Sequence, residues 1–187
     1  MTLFEYLAIA FSLTFSFSGM RLVGGLPHAV QRQRRSWVHL GFVFNQLLLT
    51  VGIFWMFWSF RAVEWNFPTF LLTLVSPSLI YFNSCALVPE NPSAVESWHD
   101  YYYEVRSRYF VGLICWATAL VAISTIVLEL PFLHLARVPQ AALFGGALVG
   151  ALSKNERVHS SLAVFFLLSQ VAFVLSLGFR PGSIVAP

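Results

Sequence analysis

Five uncharged polar residues lie deep inside apolar stretches of this chain: Asn45, Gln46, Ser76, Ser78 and Gln170. Amides and hydroxyls are costly in such surroundings, and a set of them can line a narrow hydrogen-bonding path for a small solute. The same groups can instead bond from helix to helix, at about 0.6 kcal/mol apiece on average. No acidic or basic side chain falls at the middle of a stretch, which argues against a proton relay or a strongly ion-coupled transporter.

Histidine supplies the second candidate chemistry. His39 and His159 each sit near the start of an apolar stretch, in Trp37-Val38-His39 and Arg157-Val158-His159. Two imidazoles on different helices at similar depth can hold a haem iron or a metal ion. A lone histidine at that depth is also comfortable in interfacial water. Other chemistries lack their motifs: there is no phosphate-binding glycine loop, no Gly-x-Ser-x-Gly, no His-Glu-x-x-His and no Cys-x-x-Cys. Neither an arginine-every-third-residue helix nor a potassium-filter sequence occurs, and Lys154 lies in a charged connection, unsuited to a retinal Schiff base. Cys85 and Cys115 sit in apolar surroundings and suggest neither a disulfide framework nor a zinc site. With no catalytic motif, the sequence does not point to an enzyme.

The elements that must position these residues are helices in a bilayer. Hydrophobic residues make up 58% of the chain and charged residues 10%, against about 25% charged in ordinary soluble domains. Mean hydropathy is +0.73. Spanning a bilayer takes about 20 mostly apolar residues, and six stretches approach that: 3–22, 37–60, 67–88, 109–130, 138–152 and 158–179. The fifth is the shortest, with Leu133 to Ala136 available to extend it. The first lacks a basic leader and a small-residue cleavage site, so it reads as a retained helix rather than a signal peptide. The expected fold is therefore one all-α membrane domain, a six-helix bundle.

Between the third and fourth stretches, Asn91-Pro92-Ser93 followed by Glu96 has the form of a capping box. It predicts an amphipathic helix over 93–108, lying at the membrane interface or extending the fourth span. Trp98, Tyr102, Val105 and Tyr109 share one of its faces, with Trp and Tyr expected at headgroup level. Glu104 and Arg108 are spaced to pair. In the fifth stretch, Gly146 and Gly150 form a Gly-x-x-x-Gly spacing that lets helices approach closely, within the chain or between subunits.

The net charge of +3 belongs to topology rather than to nucleic-acid binding. Arg21, Arg32, Arg34, Arg35, Arg106, Arg108, Lys154 and Arg157 fall on one side of the six-span arrangement, with only Arg61, Arg137 and Arg180 on the other. The excess of basic residues marks the cytoplasmic side, so both termini are expected outside, in a bacterial inner or plasma membrane. Arg21, Arg32, Arg34 and Arg35 would orient helices and meet lipid headgroups. Three functions are compatible with these residues. One is a homo-oligomeric channel or small-solute transporter built on the uncharged path. The others are a haem- or metal-binding redox protein built on His39 and His159, and a non-catalytic subunit or membrane sensor within a larger complex.

Overall fold

The computed structural model describes residues 3–180, and every regular element among them is helical. The six helices are α1 (Leu3–Ala29), α2 (Trp37–Met56), α3 (Phe67–Leu87), α4 (Trp98–Ile126), α5 (Arg137–Leu152) and α6 (Glu156–Phe173). A 3-10 turn, Phe57–Phe60, prolongs α2, and a π-helical turn, Val174–Gly178, prolongs α6.

Short polar side chains start most of these helices. Ser36, Asn66, Ser97 and Asn155 each accept a hydrogen bond from a first-turn amide, satisfying donors that a helix leaves without partners. At α3 the bonding is reciprocal, because Thr69 Oγ1 also accepts from the Asn66 amide at 3.1 Å. Five helices, α5 excepted, are long and apolar enough to cross a membrane. At 16 residues α5 is about 24 Å long, short of a hydrocarbon core of about 30 Å. Leu133 to Ala136, available to extend it, is not helical: 131–136 is a stretch of turns and irregular backbone, with Phe132 and Leu133 86% and 92% exposed. The bundle exterior is rich in exposed Leu, Ile, Val and Phe, including Ile9, Leu13, Phe17, Val51, Leu148 and Leu168. An apolar surface of that extent is compatible with lipid as the solvent.

Of the segment expected to be helical over 93–108, residues 98–108 are helical and extend the fourth span, the second of the two arrangements expected, while its first residues fold otherwise. Pro92–Ala94 is a single 3-10 turn. Ser93 donates its hydroxyl to Asn91 Oδ1 at 2.6 Å, so it does not cap, and Ser97 caps in its place by accepting from the Asp100 amide. From Trp98 one unbroken helix of 29 residues runs into the fourth expected span. Its aromatic face turns into the protein: Trp98, Tyr102 and Tyr109 are buried. Arg108 lies over the Phe82 ring at 5.0 Å rather than on Glu104.

Hydrogen bonds group the connections at two ends. The α1–α2, α3–α4 and α5–α6 connections meet at the basic end, where the Trp98 amide donates to Arg34 O and Tyr102 bonds to His159. The α2–α3 and α4–α5 connections lie at the opposite end, near the start of α1, where Phe4 stacks on Phe57 at 5.4 Å. One apolar core fills the basic half around Phe42, Tyr102, Phe110 and Phe166. A second joins α1, the end of α2, α3 and α4 around Phe11, Phe57, Ile80 and Trp116.

Candidate functional site

Three helices, α1, α3 and α5, finish at the basic end, and their last carbonyls have no partners within the helix. Side chains from neighbouring segments take them up. Trp98 Nε1 donates to His28 O at 3.0 Å, Tyr101 Oη to Ala86 O at 3.0 Å, His39 Nε2 to Leu87 O at 2.9 Å and Arg21 Nε to Val88 O at 2.9 Å. At the end of α5, His159 Nε2 donates to Ser153 O at 3.0 Å and Arg106 Nη1 to Ala151 O at 3.4 Å. Arg34 closes the 3-10 turn through the carbonyls of Ser93 and Val95. Donors, several of them cationic, thus meet the negative poles of three helices. Arg32 and Arg35 remain exposed.

This arrangement gives His39 and His159 separate tasks. A carbonyl only accepts, so each ring carries its proton on Nε2. Nδ1 of His159 then accepts from Tyr102 Oη at 2.7 Å, which leaves that imidazole no lone pair for a metal. Nδ1 of His39 is buried without a partner, and its ring stacks on Trp98 with centroids 4.6 Å apart. His159 is instead enclosed by Tyr102, Tyr103 and Phe110. The two rings share no centre, and no group of three or more His, Cys, Asp or Glu among the described residues is placed to hold a metal ion. A shared haem or metal does not fit them.

Beneath these bonds lies a block of rings. Phe42 stacks on Tyr102 at 5.3 Å and meets Tyr109, Phe110 and Phe166 edge-on. Gly146 and Gly150 make room for it. A Cβ on Gly146 would stand 2.7 Å from the Phe166 ring, and one on Gly150 would run into Phe110. The Gly-x-x-x-Gly spacing is therefore used within the chain, and its notches receive rings rather than another helix backbone.

The deep polar residues sit at the far side of this block, and the structure connects them in pairs. Asn45 Nδ2 donates to Gly41 O and Ala163 O, both at 2.9 Å, while Gln170 Nε2 donates to Asn45 Oδ1 at 3.1 Å and Asn45 O at 3.2 Å. These bonds tie α2 to α6. Gln46 accepts from Tyr109 Oη at 3.2 Å and donates to Ile80 O at 3.4 Å, joining α2 to α4 and α3. Ser76 accepts from Trp116 Nε1 at 3.0 Å. Ser78 faces outward and returns its hydroxyl to Leu74 O on its own helix. Asn45, Ser76 and Gln170 do border one space; Gln46 and Ser78 do not.

That space is a half-enclosed cavity of about 210 Å³. It runs from Asn45, Ser76 and Tyr109 at its floor towards Phe60, Leu130 and Ala136 at the end opposite the basic cluster. Leu49, Ile53, Leu113, Leu120, Leu143 and Phe173 supply mostly apolar walls. Near the far end lies a polar group that the sequence pattern does not single out. Arg137 donates through Nη1 to Ser124 Oγ and Gln140 Oε1, and through Nη2 to Thr125 Oγ1 and Leu130 O. Gln140 in turn donates to Ser124 Oγ at 3.1 Å. The carbonyl of Leu130 is presented by a tight reversal in which Glu129 adopts a φ of 52°. The visible signal was a polar pair at each border, Ser124-Thr125 and Arg137 with Gln140; their meeting required the turn between them.

Neither a protein-family model, nor a curated protein, nor a solved structure matches this chain.

The pairing of Asn45 with Gln170 has a direct check. In a double-mutant cycle with Asn45→Leu and Gln170→Leu, a coupling of about 0.6–1.7 kcal/mol is expected in unfolding from mixed micelles. A coupling near zero, together with rapid labelling of cysteines at 45 and 170 by a water-soluble thiol reagent, would return these residues to a wet path.

Proposed function

We propose that this chain is an integral membrane carrier that takes up one small apolar or amphiphilic molecule in the half of the bundle opposite its basic end. The observation that carries this reading is the apolar cavity, closed at its floor by the Asn45–Gln170 pair and the aromatic block around Phe42. One packed half and one hollow half is a geometry suited to binding from one side, whereas a water-filled conduit needs polar groups free to face solvent. The amides of Asn45, Gln46 and Gln170 are instead bonded to one another, to Tyr109 and to backbone. The cavity exceeds the roughly 150 Å³ that accepts benzene and falls below the roughly 300 Å³ where pockets for drug-sized ligands begin. Its occupant is accordingly a single ring or part of one acyl chain.

The same reading makes α5 a sixth crossing, shortened and supported by α4 and α6, with Phe132 and Leu133 dipping into the membrane surface beside its start. Basic residues collected at the Trp98 end orient that end to the cytoplasm, so the cavity faces the outer half of the bilayer.

Gly52 supplies the test. It lines the cavity, and a Cβ built there meets nothing within 4 Å. Gly52→Phe should fill the cavity from α2 without disturbing neighbours. Binding of 1-dodecanol, measured by native mass spectrometry of protein released from nanodiscs, is expected for the native chain and lost in Gly52→Phe, with unfolding midpoints unchanged. Equal binding by both proteins would overturn the proposal.

A further inference from the structure

We infer that the molecule held in the cavity carries an oxyacid head, recognised at the far end by the Arg137 cluster. The inference rests on the cavity reading above and adds the chemical class of the ligand. Its first support is an uncompensated charge. Arg137 is half-buried, and its guanidinium meets two hydroxyls, an amide oxygen and a backbone carbonyl, all neutral. Among the described residues no carboxylate lies within ion-pair distance of it, and its Nε–H is buried without an acceptor. Removing a guanidinium from water is costly unless an anion shares the site.

The second support is independent and lies on another helical segment. Ser59, in the turn that prolongs α2, is 4% exposed, lines the cavity and has no hydrogen-bond partner for its hydroxyl. Ser124 on the same wall places its hydroxyl hydrogen on Val121 O and shares its oxygen between Arg137 and Gln140, while Ser76 accepts from Trp116. A buried hydroxyl left open where a cavity ends is a donor waiting for an acceptor. Ser124 and Gln140, both lining residues, stand between the cavity and the guanidinium, with their own donors spent on Val121 O, Leu120 O and Ser124 Oγ. The donors left for a head are therefore Ser59 Oγ and Arg137 Nε. Charge behind the wall, an open donor in it and apolar walls leading away from it describe an amphiphile with a compact anionic head.

The head chemistry, a carboxylate or a phosphate ester, can come from a free fatty acid or from an anionic lipid with one chain in the cavity. Competition separates the two sources. For protein in phosphatidylcholine nanodiscs, dodecanoate is expected to bind about 10- to 100-fold more tightly than 1-dodecanol, as charge-assisted hydrogen bonds to a head imply. In Arg137→Gln that preference should disappear while 1-dodecanol binding persists. Arg137→Lys retains the charge and should keep a preference for the acid, which guards against a fold defect in the glutamine variant. If phosphatidylglycerol nanodiscs abolish dodecanoate binding, the head is that of a membrane lipid; if they do not, it is a free acid. Both results support the proposal. Equal affinity for dodecanoate and dodecanol in the native chain, or loss of the preference in Arg137→Lys as in Arg137→Gln, would overturn it while leaving the cavity reading intact. Failure of both probes to bind would sink the cavity reading itself.

Discussion

Trp98→Ala is expected to destabilise the bundle by about 3–5 kcal/mol, the range for deleting a fully buried aromatic side chain. Trp98 is 0% exposed, stacks on His39, and bonds through its indole to His28 O and through its amide to Arg34 O. It therefore joins the end of α1, the α1–α2 connection and the start of α4. Trp98→Phe keeps most of the stacking and loses one hydrogen bond, so about 1 kcal/mol is expected from that variant. Unfolding by denaturing detergent in mixed micelles measures both. A tryptophan at headgroup level, as the spacing of Trp98, Tyr102 and Tyr109 suggests from sequence, would give a small effect for either substitution. The size of the alanine effect thus decides where this aromatic face points.

Gly150→Val should cost about 1–3 kcal/mol or more, because the added methyls run into Phe110, which is itself enclosed by Phe42, Tyr109 and His159. Gly145→Val, on the same helix, is the matched control: nothing lies within 4 Å of a Cβ there, and no loss is expected. Subunit count separates this from the alternative use of Gly146 and Gly150. If the glycines packed a second copy of the chain, Gly150→Val would change the oligomer seen by native mass spectrometry and leave the stability of the single chain alone. Within one chain, the order of effects is Gly150 well above Gly145, at constant subunit number.

These two variants bracket the logic of the candidate site. Trp98, His39, His159, Arg21 and Arg106 close the ends of α1, α3 and α5, and the ring block below them fills the space between α2, α4 and α6. Only beyond Asn45 and Tyr109 do the walls separate enough to leave a cavity. The packed half meets the hollow one at Asn45 and Tyr109, with the contacts of Phe42 to Tyr109 and Phe166 behind them. Among the polar residues picked out from sequence, Asn45, Ser76 and Gln170 reach the cavity edge. Their depth in apolar stretches was the usable signal. Ser78 was selected on the same ground and faces outward, since residues two apart on a helix point in different directions.

What the sequence by itself determined is the solvent and the elements. Long apolar stretches with few charges leave room for little besides helices long enough to cross a bilayer, because every backbone amide in hydrocarbon must find its partner within its own segment. Ser36, Asn66 and Asn155 cap their helices through equally local bonds, although the pattern of apolar stretches did not mark them. Tertiary structure decided the uses of the side chains. Ser93 had the form of a cap, yet Asn91 took its hydroxyl and the helix began at Ser97. His39 and His159 had the form of a ligand pair, yet unsatisfied carbonyls at the ends of α3 and α5 claimed them. Arg137 looked like one charge on the sparsely basic side, until the turn at Glu129 brought Ser124, Thr125 and Leu130 O around it. A helix period tells which residues share a face, while the identity of whatever covers that face is a property of segments distant in sequence.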